Sequence, residues 1–132
     1  MWPRHMEEQD HTIYSIIGQD GISRLLEAFY SRVKTDDVIC PLYPDDDWEG
    51  SEQRLRDFLL YRFGGPSTYI EERGHPRLRT RHMPFPIGIT ERDRWLELMG
   101  DAMLDVELSE AIREYLSQFF AQTADLMRNK PK

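Results

Sequence analysis

The sequence predicts an all-α fold, and three observations carry that reading. Apolar residues recur at i, i+3, i+4 and i+7 in successive segments, which is the period of one face of a helix. No run of β-branched residues alternates with polar ones, and no Asn-Gly or Asp-Gly pair is flanked by such runs, as a hairpin turn would be. At 132 residues the chain is about the size of one domain, long enough to bury roughly two thirds of its unfolded surface around a single core.

The first segment runs from Thr12 to Ile17, carries Ile13, Ile16 and Ile17, and stops at Gly18, a residue suited to ending a helix. From Asp20 the stripe Ile22, Leu25, Leu26, Phe29, Tyr30 and Val33 predicts a helix of about four turns. A third segment, Glu49 to Phe63, places Ser51 one turn before Leu55 and aligns Leu55, Phe58, Leu59 and Arg62; Gly64-Gly65-Pro66 ends it. Thr90 is the expected N-cap of the next helix, with Asp93 three residues on, followed by Trp95, Leu98, Met99, Ala102, Met103 and Val106. Ser109 opens the last segment, whose stripe Ile112, Tyr115, Leu116, Phe119, Thr123 and Met127 ends near Arg128.

Half of the glycines and prolines fall between Phe63 and Thr90, which forbids a long regular helix there. A loop of that length in so small a helical domain is usually functional or disordered, and Tyr69, Ile70, Leu78, Met83, Phe85 and Ile87 can anchor it.

Composition excludes several function classes. The 24 acidic residues outweigh 17 lysines and arginines, and a net charge of −7 repels phosphate backbones, so no nucleic-acid partner is expected. Cys40 stands alone, so no intramolecular disulfide forms and no Cys-based zinc site or Cys-x-x-Cys-His haem attachment is available. The opening residues lack the apolar core of a signal peptide, and no stretch is apolar enough to span a membrane. A cytoplasmic protein is expected, with residues 1–10 as an extension and 11–132 as one domain.

Within the loop the charge balance reverses. Arg73, Arg77, Arg79 and Arg81 lie within nine residues beside His75 and His82, whereas Asp45 to Asp57 carries six acidic and two basic residues. Such a rim either pairs with its acidic neighbours or meets an anionic ligand. His82, flanked by Arg81 and by Met83-Pro84-Phe85-Pro86, reads from chemistry alone as a hydrogen-bonded structural histidine or as a neutral metal ligand. Tyr30, Tyr43 and Trp95 each read individually as packing with a satisfied polar tip. Three such tips converging on one cavity would need something to bond.

These residues together resemble the group II truncated haemoglobins, small haem proteins with a shortened globin fold. The resemblance covers about Thr12 to Arg128. It is most specific in Phe63-Gly64-Gly65-Pro66, Tyr69, Arg73-Gly74-His75-Pro76, Leu78-Arg79, Arg81-His82, Pro84-Phe85, Glu91-Arg92 and Trp95. It implies a two-over-two helical sandwich around non-covalent haem b, with His82 as the proximal iron ligand. It implies distal, ligand-contacting positions at Tyr30, Tyr43, Ser51, Leu55 and Trp95. Arg54, Arg81 and Tyr69 fall at positions resembling propionate contacts, and Phe58 and Phe85 at positions that pack on the macrocycle. A serine at Ser51, where relatives often have alanine or threonine, departs from the commoner pattern.

The function so implied is binding of dioxygen, nitric oxide, peroxide or similar small ligands. Donors aimed at the ligand in a dry pocket suit redox or detoxification chemistry better than oxygen transport. Nitric oxide dioxygenation and a peroxidase-like reaction both fit, with a separate reductase as partner. The alternative is a haem-based gas or redox sensor acting through another protein. A monomer and a homodimer are both compatible with the sequence.

Overall fold

The computed structural model describes residues 4–63 and 87–128. Those residues form four α-helices, with no strand among them: α1 (Arg4–Val33), α2 (Trp48–Arg62), α3 (Ile89–Asp105) and α4 (Glu110–Met127). A single 3-10 turn, Cys40–Leu42, lies between α1 and α2.

The predicted stripe of α1 is its buried face: Ile22, Leu25, Leu26, Phe29, Tyr30 and Val33 are all at most 3% exposed. Burying side chains of this size contributes about 1.5–3 kcal/mol each, which outweighs helix propensity in fixing the segment. Gly18 breaks the helix in two at φ +65°, a left-handed conformation open to glycine and costly for other residues. The helical run before it is longer than predicted and begins at Arg4 rather than Thr12. No apolar period marks Met6-Glu7-Glu8-Gln9, but all four are good helix formers, and acidic residues favour a helix's first turns.

Helices α2 and α4 match expectation within a residue at each end. Ser109 caps α4 as predicted, its Oγ accepting from the Ile112 N–H at 3.3 Å. Helix α3 starts earlier than predicted, with Gly88 rather than Thr90 as N-cap. The reason is Glu91, whose carboxylate accepts from the Gly88 N–H at 2.7 Å, the return half of a capping box that Asp93 would have supplied two residues later.

Helix α1 packs against α2 and α3, and α3 against α4. Two helix pairs laid over each other give the expected two-over-two sandwich. Phe63 reaches from the end of α2 to Phe119 on α4, ring centroids 5.0 Å apart, so the core is continuous across both layers. The α3–α4 turn closes with the Leu108 N–H on the Met103 carbonyl at 3.2 Å, and Glu107 takes the left-handed position (φ 58°) where glycine is usual.

Candidate functional site

The α1–α2 connection is shaped by one acidic side chain. Asp36 Oδ2 accepts from the N–H groups of Val38 (3.1 Å) and Ile39 (2.9 Å), and Oδ1 is gripped by Arg94 of α3 at 2.6 Å. The chain then enters the 3-10 turn through Pro41 and leaves it extended at Tyr43. That course brings Ile39, Leu42 and Tyr43 to the mouth of an interior cavity of about 360 Å³.

The other walls come from every helix. Tyr30 projects from α1; Ser51, Leu55 and Phe58 from one face of α2; Trp95 from α3; and Phe119, Phe120 and Met127 from α4. Ser51, Leu55 and Phe58 share a face because they follow helical spacing. Most of this lining is apolar, and its polar groups gather at two places.

The first is an aromatic cluster. Trp95 Nε1 donates to the Tyr43 hydroxyl at 3.3 Å, and Tyr30 Oη donates to the Ser51 carbonyl at 3.3 Å. The Tyr30 and Tyr43 phenols lie close enough for each to shift the other's pKa. The rings interlock: Tyr30 meets Tyr43 edge-on at 5.6 Å, Tyr43 stacks on Trp48 at 5.5 Å, and Trp95 lies between Phe29 (5.0 Å) and Phe120 (5.5 Å). Burial pushes the Tyr30 phenol well above its usual pKa, reinforced by Tyr43; burial also raises Tyr43, partly offset by the hydrogen bond from Trp95 and by the neighbouring Tyr30 phenol. Both phenols are therefore neutral donors at neutral pH. Tyr43 accepts from the Trp95 indole, which leaves its own proton to be donated.

The second place is cationic. Arg54 Nη2 bonds Asp47 Oδ2 (3.0 Å) and Ser51 Oγ (3.3 Å) beside the cavity, and Arg92, tied to Asp125 at 2.8 Å, lines it from α3. A largely apolar cavity with neutral donors and guanidinium groups in its lining suits haem, a flat apolar macrocycle with anionic propionates and an iron that takes small polar ligands.

The structure thus brings together Tyr30, Tyr43, Ser51, Arg54, Leu55, Phe58 and Trp95 around one cavity. His82, Tyr69, Arg81 and Phe85 lie outside the described residues. Sequence reasoning missed Ile39, Phe120 and the Asp36–Arg94 pair. Phe120 adjoins the predicted stripe of α4 and could have been found there. Asp36 and Arg94 are 58 positions apart, and no local signal pairs them.

Residues 12–129 match the family model described as bacterial-like globin. Group 2 truncated hemoglobin YjbI of Bacillus subtilis is 42% identical over 117 residues, covering 89% of this chain and 88% of that protein. Among solved structures, the hemoglobin of Chloroflexus aurantiacus superposes with a TM-score of 0.84 at 44% identity, covering 89% of this chain and 98% of that one. The thermostable hemoglobin of Thermobifida fusca gives 0.85 at 43% identity, covering 91% and 98%. With its helical sandwich and its matched length, the chain belongs to the bacterial-like globins and, among them, to the group II truncated haemoglobins, whose members hold haem b without a covalent link.

Proposed function

We propose that this chain binds dioxygen and related small ligands at a haem iron held by His82, and that it serves redox or detoxification chemistry rather than oxygen transport. The convergence of Tyr30, Tyr43 and Trp95 on one largely apolar cavity carries this reading. Haem, when bound, supplies an iron atom that takes diatomic and peroxidic ligands and exchanges electrons.

The chain's own residues set what happens to such a ligand. Tyr43 and Trp95 offer O–H and N–H groups in a place of low dielectric, where a donor acts more strongly on developing negative charge than in water. Tyr30, which donates to the Ser51 carbonyl, meets the Tyr43 ring edge-on and holds it in place. Leu55 and Phe58 line the cavity and, with Phe85, would pack on the macrocycle, and Ser51 links Tyr30 to Arg54 through its carbonyl and hydroxyl. Arg54, Arg81 and Tyr69 would hold the propionates. A ligand held this firmly leaves slowly, which disfavours delivery and favours reaction in place.

The test mixes dioxygen-loaded protein with nitric oxide and measures nitrate. Stoichiometric nitrate with slow dioxygen release supports this assignment; rapid release without nitrate, together with no turnover of peroxide, overturns it.

A further inference from the structure

Trp95 and Tyr43 belong to different parts of the chain, and a 3.3 Å hydrogen bond between them demands that two backbones be held in register. Within the loop bearing Tyr43 only Ile39 is fully buried, while Leu42 and Tyr43 are half-buried against the core. The register is supplied by the ion pair next to both residues. Arg94 immediately precedes Trp95, and its Nε and Nη2 both reach Asp36 Oδ1 at 2.6 Å. The other oxygen of Asp36 binds the backbone that leads to Tyr43.

We propose that Asp36 and Arg94 are a positioning pair that fixes the Tyr43 hydroxyl against the Trp95 indole and thereby sets the polarity a ligand meets in the cavity. The inference rests on the ligand-binding role just assigned to those donors. Its geometry is specific. Asp36 is 7% exposed, and both its carboxylate oxygens are engaged, one on each element. A fork of two guanidinium nitrogens on one oxygen fixes orientation as well as distance. Burial pushes the Asp36 carboxyl up, but the Ile39 N–H, Arg94 and the Val38 N–H together hold it below its usual pKa, so the pair is ionised at neutral pH. Glu97 takes the remaining arm of Arg94 at 2.7 Å and steadies the guanidinium from its own helix.

A second ion pair provides the control. Arg32 and Asp105 join α1 to α3, at 2.8 Å; the recorded partners of the Arg32 guanidinium among the described residues are Asp105 and Asp101, and Arg32 meets the loop that carries Tyr43 only through its backbone carbonyl, which accepts from Thr35. The experiment compares wild type with Arg94→Gln, Asp36→Asn, Arg94→Lys and Arg32→Gln. The first readout needs no haem: the nuclear magnetic resonance signal of the Trp95 indole N–H, identified by its loss in Trp95→Phe, and its exchange rate with water. The second is the carbon monoxide stretching frequency of the haem-loaded ferrous protein, which reports donors near the ligand.

Arg94→Gln and Asp36→Asn are expected to move the indole signal, quicken its exchange about tenfold as one hydrogen bond is lost, and shift the carbon monoxide band; Arg32→Gln leaves all three unchanged. Arg94→Lys, with charge but no fork, falls between. An indole signal that is the same in all variants, or that moves equally in Arg32→Gln, overturns the proposal. Failure of the wild type to take up haem refutes the ligand-binding assignment separately, because the indole readout still decides the positioning role.

Discussion

Replacing Tyr43 with phenylalanine removes one oxygen and leaves a ring able to stack on Trp48 at 5.5 Å and meet Tyr30 at 5.6 Å. In the free protein that oxygen accepts from Trp95 Nε1. Tyr30 retains the Ser51 carbonyl as acceptor, whereas the indole N–H loses the only partner recorded for it among the described residues. A 3.3 Å bond lies at the weak end of the range, about 0.5–1 kcal/mol, and an unpaired indole N–H adds about 1 kcal/mol. Removing the buried hydroxyl returns about 1 kcal/mol of desolvation, so a net loss near 1 kcal/mol is expected. Ligand release behaves differently. Loss of the Tyr43 donor alone is worth about 1.5 kcal/mol, or roughly tenfold in rate. The freed Trp95 N–H sits at the same place and replaces part of that donation, which limits Tyr43→Phe to about threefold faster dioxygen dissociation. Removing both donors in Tyr43→Phe/Trp95→Phe is expected to give about a hundredfold, more than the product of the single changes. Stopped-flow displacement of dioxygen by carbon monoxide measures all four proteins. A Tyr43→Phe rate as large as that of the double variant would refute the shared-donor reasoning.

Three further outcomes follow from the geometry. Glu107 occupies a left-handed backbone position, so Glu107→Gly is expected to raise stability by about 0.5–1 kcal/mol in chemical denaturation, the relief of strain exceeding the added freedom of the unfolded chain. Asp36 has a folded pKa below its unfolded value near 3.8, so its stabilisation is complete above that value and disappears as pH falls through the folded one. The gap in denaturation midpoint between wild type and Asp36→Asn should accordingly be full above the unfolded value near 3.8 and narrow as pH falls below it, whereas a gap independent of pH would contradict it. Burial raises both Tyr30 and Tyr43, so ultraviolet titration should show at least these two phenols ionising only above the ordinary phenol range. Tyr30→Phe and Tyr43→Phe should each remove one of these late transitions.

The helices were legible because a buried face repeats its apolar residues every turn: all six positions of the α1 stripe are buried. Helix ends were less legible, since they turn on single hydrogen bonds. Thr90 and Gly88 are both acceptable caps, and the choice falls to Glu91, whose side chain reaches back to the Gly88 N–H. The helix before Gly18 carries no apolar period over residues 4–11, so a reading based on periodicity starts it too late.

Of the site, the residue types were visible and their convergence was not. Tyr30, Tyr43 and Trp95 stand on three separate elements, and each alone is what ordinary packing would produce. Only the resemblance to a family, and then the structure, places them around one cavity. The Asp36–Arg94 pair had no trace in the sequence because an ion pair between distant residues leaves neither period nor motif.

The measurement that bears most directly on the proposed function is the absorption spectrum of the protein supplied with haem, beside that of His82→Ala. An intense haem band in the wild type, lost or markedly altered in the variant while both remain helical by circular dichroism, is the expected result. A folded wild type that stays colourless in added hemin, or an unchanged band in His82→Ala, would contradict the assignment of His82 as the iron ligand of this cavity.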